Sequence, residues 1–267
     1  MVKTHMKTIV ITGSTRGIGY GLADEFLARG CQVVVNGRSP ASVEKAIATL
    51  SQKHDPARLA GQPGDVTRLA DHQAVWDTAV ARFAQVDIWI NNAGIGHPML
   101  MVWELPEALV NQVIDIDLKG LIFGAQVAIR GMIAQGFGHV YNMEGFGSDG
   151  RTRPGLSLYG STKSAVRFLS RSLTKETAHT PVKVSTLSPG MVITEFITGQ
   201  YKDDPQGLEN AKQIFNTLAD KVETVTPWLA EKVLANDKSG AHINWLTNAK
   251  IIQRFATARF TKRDLFT

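Results

Sequence analysis

The sequence holds a single cysteine, Cys31, in 267 residues. That excludes an intrachain disulfide and fits a reducing compartment, so a cytoplasmic protein is expected, with Cys31 serving as a small apolar residue near a strand. No apolar run is long enough to cross a bilayer as a helix. The opening residues, MVKTHMK, lack the apolar centre of a secretion signal and run straight into a strand pattern. Met6 is an alternative start, with residues 1–5 then an added leader. The seven histidines offer no pair at metal-ligand spacing in a suitable context, and no metal site is expected. Charge of one sign is also scarce. The net charge of +5 is spread along the chain, which suits an anionic cofactor or a membrane surface and argues against nucleic acid. Internal repeats and low-complexity linkers are absent.

What is present is a globular composition, 43% hydrophobic and 20% charged, enough to bury the core of one α/β domain spanning residues 1–267. Strand-length apolar runs alternate with helix-period segments. Residues 7–12, 32–35, 58–62, 86–90, 139–143 and 182–187 read as strands, and residues 107–135 and 159–177 as long helices. Such alternation implies a parallel sheet, because parallel strands need crossover connections, and right-handed crossovers lead to a doubly wound Rossmann fold. Residues 195–240 break the rhythm and are expected to form a lid over a substrate site.

Directly after the first strand comes Thr12-Gly13-Ser14-Thr15-Arg16-Gly17-Ile18-Gly19. Glycines there permit a tight turn and close approach of backbone to a diphosphate, and the following helix directs free N–H groups at it. A site for NAD usually has a carboxylate about 20 residues further on for the ribose 2′-OH. Here that place holds the neutral Asn36, followed by Arg38, while Arg16 lies in the loop itself. Two guanidiniums can pair a 2′-phosphate, so NADPH is expected over NADH; both arginines could equally sit on a solvated surface.

Tyr159 and Lys163 are four apart and share a helix face. A phenol within reach of a carbonyl can protonate the oxygen as hydride reaches the carbon. A neighbouring ammonium is expected to favour the phenolate and lower the tyrosine pKa.

Together with Asn91-Asn92-Ala93-Gly94, Tyr159-Gly160-Ser161-Thr162-Lys163 and Ser188-Pro189-Gly190-Met191-Val192-Ile193-Thr194, the loop makes the chain resemble the short-chain dehydrogenase/reductase family over about its first three quarters. The resemblance implies strand order 3-2-1-4-5-6-7 and a homodimer or homotetramer built on the two long central helices. It implies cofactor contacts from Gly13, Ser14, Thr15, Arg16, Gly17, Ile18, Gly19, Asn36, Arg38 and Ser39, and from Asp65 and Val66 near the adenine. Further contacts are implied from Asn91, Ala93, Gly94, Tyr159, Lys163, Pro189, Gly190, Val192 and Thr194.

Two positions depart from the family pattern. The serine that usually bonds the substrate carbonyl is replaced by Gly145, or by Glu144 if the alignment slips, with Ser148 the nearest hydroxyl. Asp117 stands where an asparagine usually supports a proton relay. Asp117 and Glu144 therefore join Tyr159 and Lys163 as candidate catalytic residues, although Glu144 could instead face solvent and Asp117 merely pair with a base.

The segment Asn142-Met143-Glu144-Gly145-Phe146-Gly147-Ser148 resembles the chlorophyll b reductase branch of the family, which implies reduction of a formyl group on a large apolar small molecule. After a last strand at residues 242–247, residues 248–260 group Ile251, Ile252 and Phe255 against Lys250, Arg254 and Arg259. This amphipathic helix could touch a membrane, but packing on its own domain or a partner is favoured. Met99, Met101 and Trp103 could line a large pocket, and His97 could touch substrate. A lipid, steroid-like or xenobiotic ketone is the rival substrate class. A non-catalytic NADPH-binding sensor is the rival from another class.

Overall fold

The structure, a computed structural model, describes residues 6–201, 204–258, 260 and 263–266. The possible leader at 1–5 and Arg259 of the amphipathic tail lie outside the described residues. Seven strands, β1 (Thr8–Ile11), β2 (Gln32–Gly37), β3 (Leu59–Pro63), β4 (Ile88–Asn91), β5 (Gly138–Met143), β6 (Val182–Ser188) and β7 (His242–Asn244), form one sheet in the order β3-β2-β1-β4-β5-β6-β7. Every pairing is parallel. The expected doubly wound topology is therefore what the chain adopts.

Alternation along each strand feeds two cores. Ile9, Ile11, Val33, Val35, Ile88 and Ile90 face one side, where α1 (Gly17–Ala28), α2 (Pro40–Ser51) and α9 (Val222–Ala235) pack. Val10, Val34, Trp89 and Val140 face the other, covered by α3 (Leu69–Phe83), α5 (Gly120–Gln135) and α6 (Ser157–Glu176). Strands sandwiched in this way need apolar residues on both faces, which is why they read as unbroken hydrophobic runs. Each fully buried Leu or Phe, such as Leu22 and Phe26, contributes roughly 1.5–3 kcal/mol.

The segment read as one helix over residues 107–135 has a defect that positions the site. It comprises α4 (Glu107–Ile114), a π-helical turn at Asp115–Lys119, and α5. Such turns are rare inside α-helices and are frequent at functional sites. The buried residue of this one is Asp117.

Residues 195–240, expected to form one lid, divide in two. Helix α9 supplies Val225, Leu229, Ala230 and Val233 to the main core against α1, so it is a layer of the fold. The remaining part holds α7 (Glu195–Thr198) and α8 (Pro205–Leu218), where Tyr201, Ala211 and Phe215 form a satellite cluster packed by Met99, Met191 and Ile193. Met101 and Trp103 are exposed and line no part of that cluster.

The terminal helix α10 (Asn248–Thr257) reverses the expected orientation. Its apolar residues Ile252 and Phe255 are exposed, while Lys250 lies over the Trp245 ring and Arg254 pairs with Asp220. The reason is Asp220, a buried carboxylate that also takes Arg263 and the Trp245 indole N–H. Burying that charge requires cations, and the helix turns its basic face inward to provide them.

Candidate functional site

The ends of β1, β4 and β5 converge where strand order reverses, the usual ligand crevice of an open α/β sheet. Gly13 sits there at φ +62°, and a Cβ on it would stand 2.8 Å from the Ala93 Cα. Only glycine allows both the left-handed backbone and that approach. The Asn92 amide donates to the Thr12 and Gly13 carbonyls at 3.0 Å each, and the Ala93 N–H donates to Thr12 Oγ1 at 3.1 Å. Thus the Asn91–Gly94 segment clamps the glycine turn. Arg16 is the N-cap of α1 and makes no side-chain cap bond, which leaves the helix N–H groups directed at the crevice.

Several residues expected to touch cofactor have side chains that brace the scaffold instead. Asn36 is buried; its Oδ1 accepts from the Gly13 N–H at 3.3 Å, and its Nδ2 donates to the Gln62 carbonyl at 3.1 Å. The Ser14 hydroxyl donates to the Ile11 carbonyl at 2.7 Å. Asn91 accepts from the Trp89 indole at 2.8 Å and donates to Asn142 at 2.9 Å, facing the interior. Ser39 caps α2 by accepting from the Ser42 N–H at 3.3 Å. Their polar groups are consumed because a buried donor or acceptor without a partner is costly.

Other expected residues lie around the crevice. Thr15 packs against Gly37, bringing the loop with Arg16 beside the strand end with Arg38. Both arginines are exposed, and Arg16 pairs with Glu195 at the start of α7. Asp65 follows β3 and accepts from the Thr67 N–H at 2.9 Å, while the Val66 carbonyl accepts from His72. Ile18 packs on the core below the loop, and Gly19 abuts the Gly13 carbonyl and the Asn92 amide. Beyond β6 and Pro189, Gly190 adopts φ +72° against Leu246. Val192 is buried, its neighbours Met191 and Ile193 are bonded to the Asp220 backbone at 2.9 Å each, and Thr194 comes against Gly17.

Tyr159 and Lys163 lie one turn apart on α6, both buried. The Lys163 ammonium stands 3.3 Å from Asp117 Oδ2 and 5.5 Å from the centre of the Tyr159 ring. Asp117 is wholly buried, and its Oδ1 accepts from the Ile95 N–H at 2.8 Å. Gly94 fits against both Asp117 and Lys163. The expectation that Lys163 lowers the tyrosine pKa is corrected by this geometry. Burial, and then the Asp117 carboxylate, push the phenol above its ordinary range. Burial likewise raises the Asp117 carboxyl, with Lys163 opposing it.

Glu144 neither faces solvent nor fronts Tyr159. Its buried carboxylate accepts from the Ser148 hydroxyl at 3.1 Å and lies 3.9 Å from Arg167 and 3.6 Å from His242. The residue against the Tyr159 hydroxyl is Gly145, where a Cβ would overlap the phenol oxygen. His97, read as a possible substrate contact, is buried with both ring nitrogens engaged. Phe196 packs its ring 5.4 Å from that of Tyr159, a neighbour that sequence spacing gave no means of finding. Among the described residues no group of three or more His, Cys, Asp or Glu could hold a metal ion.

The family model for short chain dehydrogenases matches residues 7–205. The chain is 34% identical over 268 residues to the probable chlorophyll(ide) b reductase NYC1, chloroplastic, of Arabidopsis thaliana, covering 94% of this chain and 53% of the relative. It is 35% identical over 251 residues to the chlorophyll(ide) b reductase NOL, chloroplastic, of the same plant, covering 91% and 70%. The chain thus spans about half the length of the first of these relatives. Among solved structures, the 3-ketoacyl-(acyl-carrier-protein) reductase of Brucella melitensis complexed with NADH aligns with a TM-score of 0.78 at 23% identity, covering 91% of this chain and 98% of that one.

Proposed function

Because the chain belongs to the short-chain dehydrogenase/reductase family, we propose that it is an NADPH-dependent reductase of a carbonyl group on a large apolar substrate, best represented by the formyl group of a chlorophyll b-type tetrapyrrole. The observation that carries this reading is the buried phenol of Tyr159, one helical turn from Lys163, at the crevice beside the glycine turn. The similarity to two chlorophyll(ide) b reductases supports the substrate class.

The residues around the crevice fit a nicotinamide dinucleotide. The positive φ of Gly13, the uncapped start of α1 and the clamp from Asn92 form a backbone cradle for a diphosphate. No carboxylate stands at the end of β2, where Arg38 is exposed beside the loop carrying Arg16; this supports a 2′-phosphate over a free ribose hydroxyl. When bound, the cofactor supplies the hydride.

The protein's own groups handle the proton. Tyr159, held above its ordinary phenol range by burial and Asp117, stays protonated near neutral pH and donates its O–H proton to the carbonyl oxygen. That is the protonation state which reduction needs, whereas oxidation of an alcohol requires the phenolate. Lys163 fixes charge beside the phenol and is itself held by Asp117. Gly145 lets the Tyr159 hydroxyl come against the backbone where a side chain would displace it, so on this reading the substrate carbonyl meets Tyr159 without a neighbouring serine. Phe196 and Ile197 on α7, with Met191 on the segment before it, provide apolar surroundings. The lone buried Cys31 suits work in a reducing compartment such as the cytoplasm.

The test is Tyr159→Phe assayed with NADPH and a carbonyl panel that includes chlorophyll b, following loss of the reduced nicotinamide absorbance. Cofactor binding is retained and turnover lost on this reading. Retained turnover refutes it. Activity confined to lipid or steroid-like ketones moves the substrate class, and tight NADPH binding with no activity on any carbonyl favours a sensor.

A further inference from the structure

The first N–H groups of a helix have no partner within the helix and must find one elsewhere. Helix α6, which carries Tyr159, begins after Leu156, a residue with no polar side chain to serve as a cap. The N–H of Tyr159 itself is one of these groups. It donates at 3.2 Å to Nε2 of His97, a residue 62 positions away in the chain. The other ring nitrogen, Nδ1, lies 2.7 Å from the Pro98 carbonyl. A nitrogen that receives an N–H carries no proton, and a nitrogen facing a carbonyl must carry one, so the two contacts together fix the neutral Nδ1–H tautomer.

This imidazole is not available to substrate, since it is 2% exposed and both nitrogens are committed. Its place in the chain gives it another use. The segment after β4 clamps the glycine turn through Asn92, is tied to Asp117 through the Ile95 N–H, and reaches α6 through His97. Within six residues it touches the cofactor cradle, the carboxylate that holds Lys163, and the backbone of the proton donor. Gly96, immediately before His97, packs on Phe196, whose ring also contacts Tyr159.

We propose that His97 is a positioning residue: by accepting the Tyr159 backbone N–H at the start of α6, it fixes the phenol relative to the glycine turn and so sets the alignment for proton transfer. The proposal rests on the reading of Tyr159 as proton donor. Alignment errors of about 1 Å at a reacting group can cost on the order of a hundredfold in rate, so loss of this tether has a kinetic signature without removing any group that contacts substrate.

The discriminating pair of variants is His97→Gln and His97→Asn. Glutamine reaches both partners, its Oε1 accepting from Tyr159 and its amide N–H₂ donating toward Pro98. Asparagine retains the amide but is too short to span both. With a carbonyl that the wild-type enzyme reduces, His97→Gln keeps kcat within about threefold, while His97→Asn loses at least about tenfold in kcat. NADPH affinity, read by fluorescence titration, stays within about twofold in both, since the cradle is untouched. Amide hydrogen exchange of the first turn of α6 is accelerated in the asparagine variant only.

Equal kcat in the two variants overturns the inference, as does a loss that resides wholly in NADPH affinity. Tyr159→Phe is measured alongside. If it is inactive while His97→Asn works at the wild-type rate, the inference alone fails. If Tyr159→Phe is active, the reading beneath it fails.

Discussion

Lys163 and Asp117 form a buried ion pair, 3.3 Å from Nζ to Oδ2, across the junction between α6 and the π-helical turn. Burial is the main reason the neighbouring phenol is raised, and the charge of the Asp117 carboxylate adds to it. In Asp117→Asn the charge is lost while an acceptor for the Ile95 N–H remains. The basic limb of the pH–rate profile for carbonyl reduction then moves to lower pH, because the group that stabilises the protonated phenol has gone. Unfolding in urea should show a loss of about 3 kcal/mol, since removing one member of a buried pair strands the other. An unmoved basic limb would show that Tyr159 does not feel Asp117.

Gly145 supplies a second test. The family pattern places a serine at or next to this position, so restoring it looks like an improvement. The structure says otherwise, because any Cβ at residue 145 overlaps the Tyr159 oxygen. Gly145→Ser must push the phenol aside, and kcat for carbonyl reduction should fall by at least about tenfold, the usual scale for misplaced acid–base groups. A rise in kcat would mean that the loop yields and the tyrosine does not.

How much of this was legible beforehand depends on what each residue's environment adds to its type. The parallel sheet and the glycine turn were readable because apolar runs and positive-φ glycines have few alternative uses, whereas the strand order followed from the family resemblance. Tyr159 and Lys163 were readable because their four-residue spacing occurs together with the glycine loop, Asn91–Gly94 and Ser188–Thr194; spacing by itself would suggest only a contact on a helix surface. What could not be read was which polar side chains turn inward. Asn36 and Asn91 carry the residue types of cofactor ligands, yet their partners, Gly13, Gln62, Trp89 and Asn142, are supplied by strands adjacent only in the sheet. The surroundings of Glu144 were hidden for the same reason: its partner Ser148 is local, but Arg167 and His242 are not. The inverted face of α10 needed Asp220, 34 residues from Arg254, to be seen as a buried charge. The tyrosine pKa goes in the opposite direction because spacing shows that a lysine is near and says nothing about how deeply the phenol is buried or that Asp117 lies nearby.

Nucleotide choice tests the two exposed arginines. Arg16→Ala with Arg38→Ala should raise the KM for NADPH by about a hundredfold and leave that for NADH within about twofold, since only the 2′-phosphate loses charge-assisted bonds. Glu195→Gln acts in the opposite sense. It frees Arg16 from its ion pair, so NADPH binding should tighten, and the effect should fade as salt screens the exposed charges. Equal losses for both nucleotides in the double variant would remove the arginines from the 2′-phosphate role.

The last prediction concerns stability and comes from β5. His139 is buried, bonded to Ser185 at 2.9 Å and stacked on Tyr141, and burial followed by the nearby Lys183 lowers its pKa from 6.5 to about 3. In the unfolded chain the same imidazole takes up a proton below about pH 6.5. Between that value and about pH 3 the unfolded state therefore binds more protons than the folded one, and stability falls as pH falls. A single group of this kind contributes a slope of up to about 1.4 kcal/mol per pH unit across the window and nothing above it. Replacing His139 with glutamine, which can still bond Ser185 but does not titrate, should flatten this part of the urea-unfolding profile between pH 6 and 4 by about that amount per unit. Carboxylates contribute their own acid loss at lower pH, so the comparison is the difference between the two proteins at each pH. Parallel profiles would show that the imidazole is protonated in the folded chain, with Ser185 and Tyr141 rearranged to accommodate the charge.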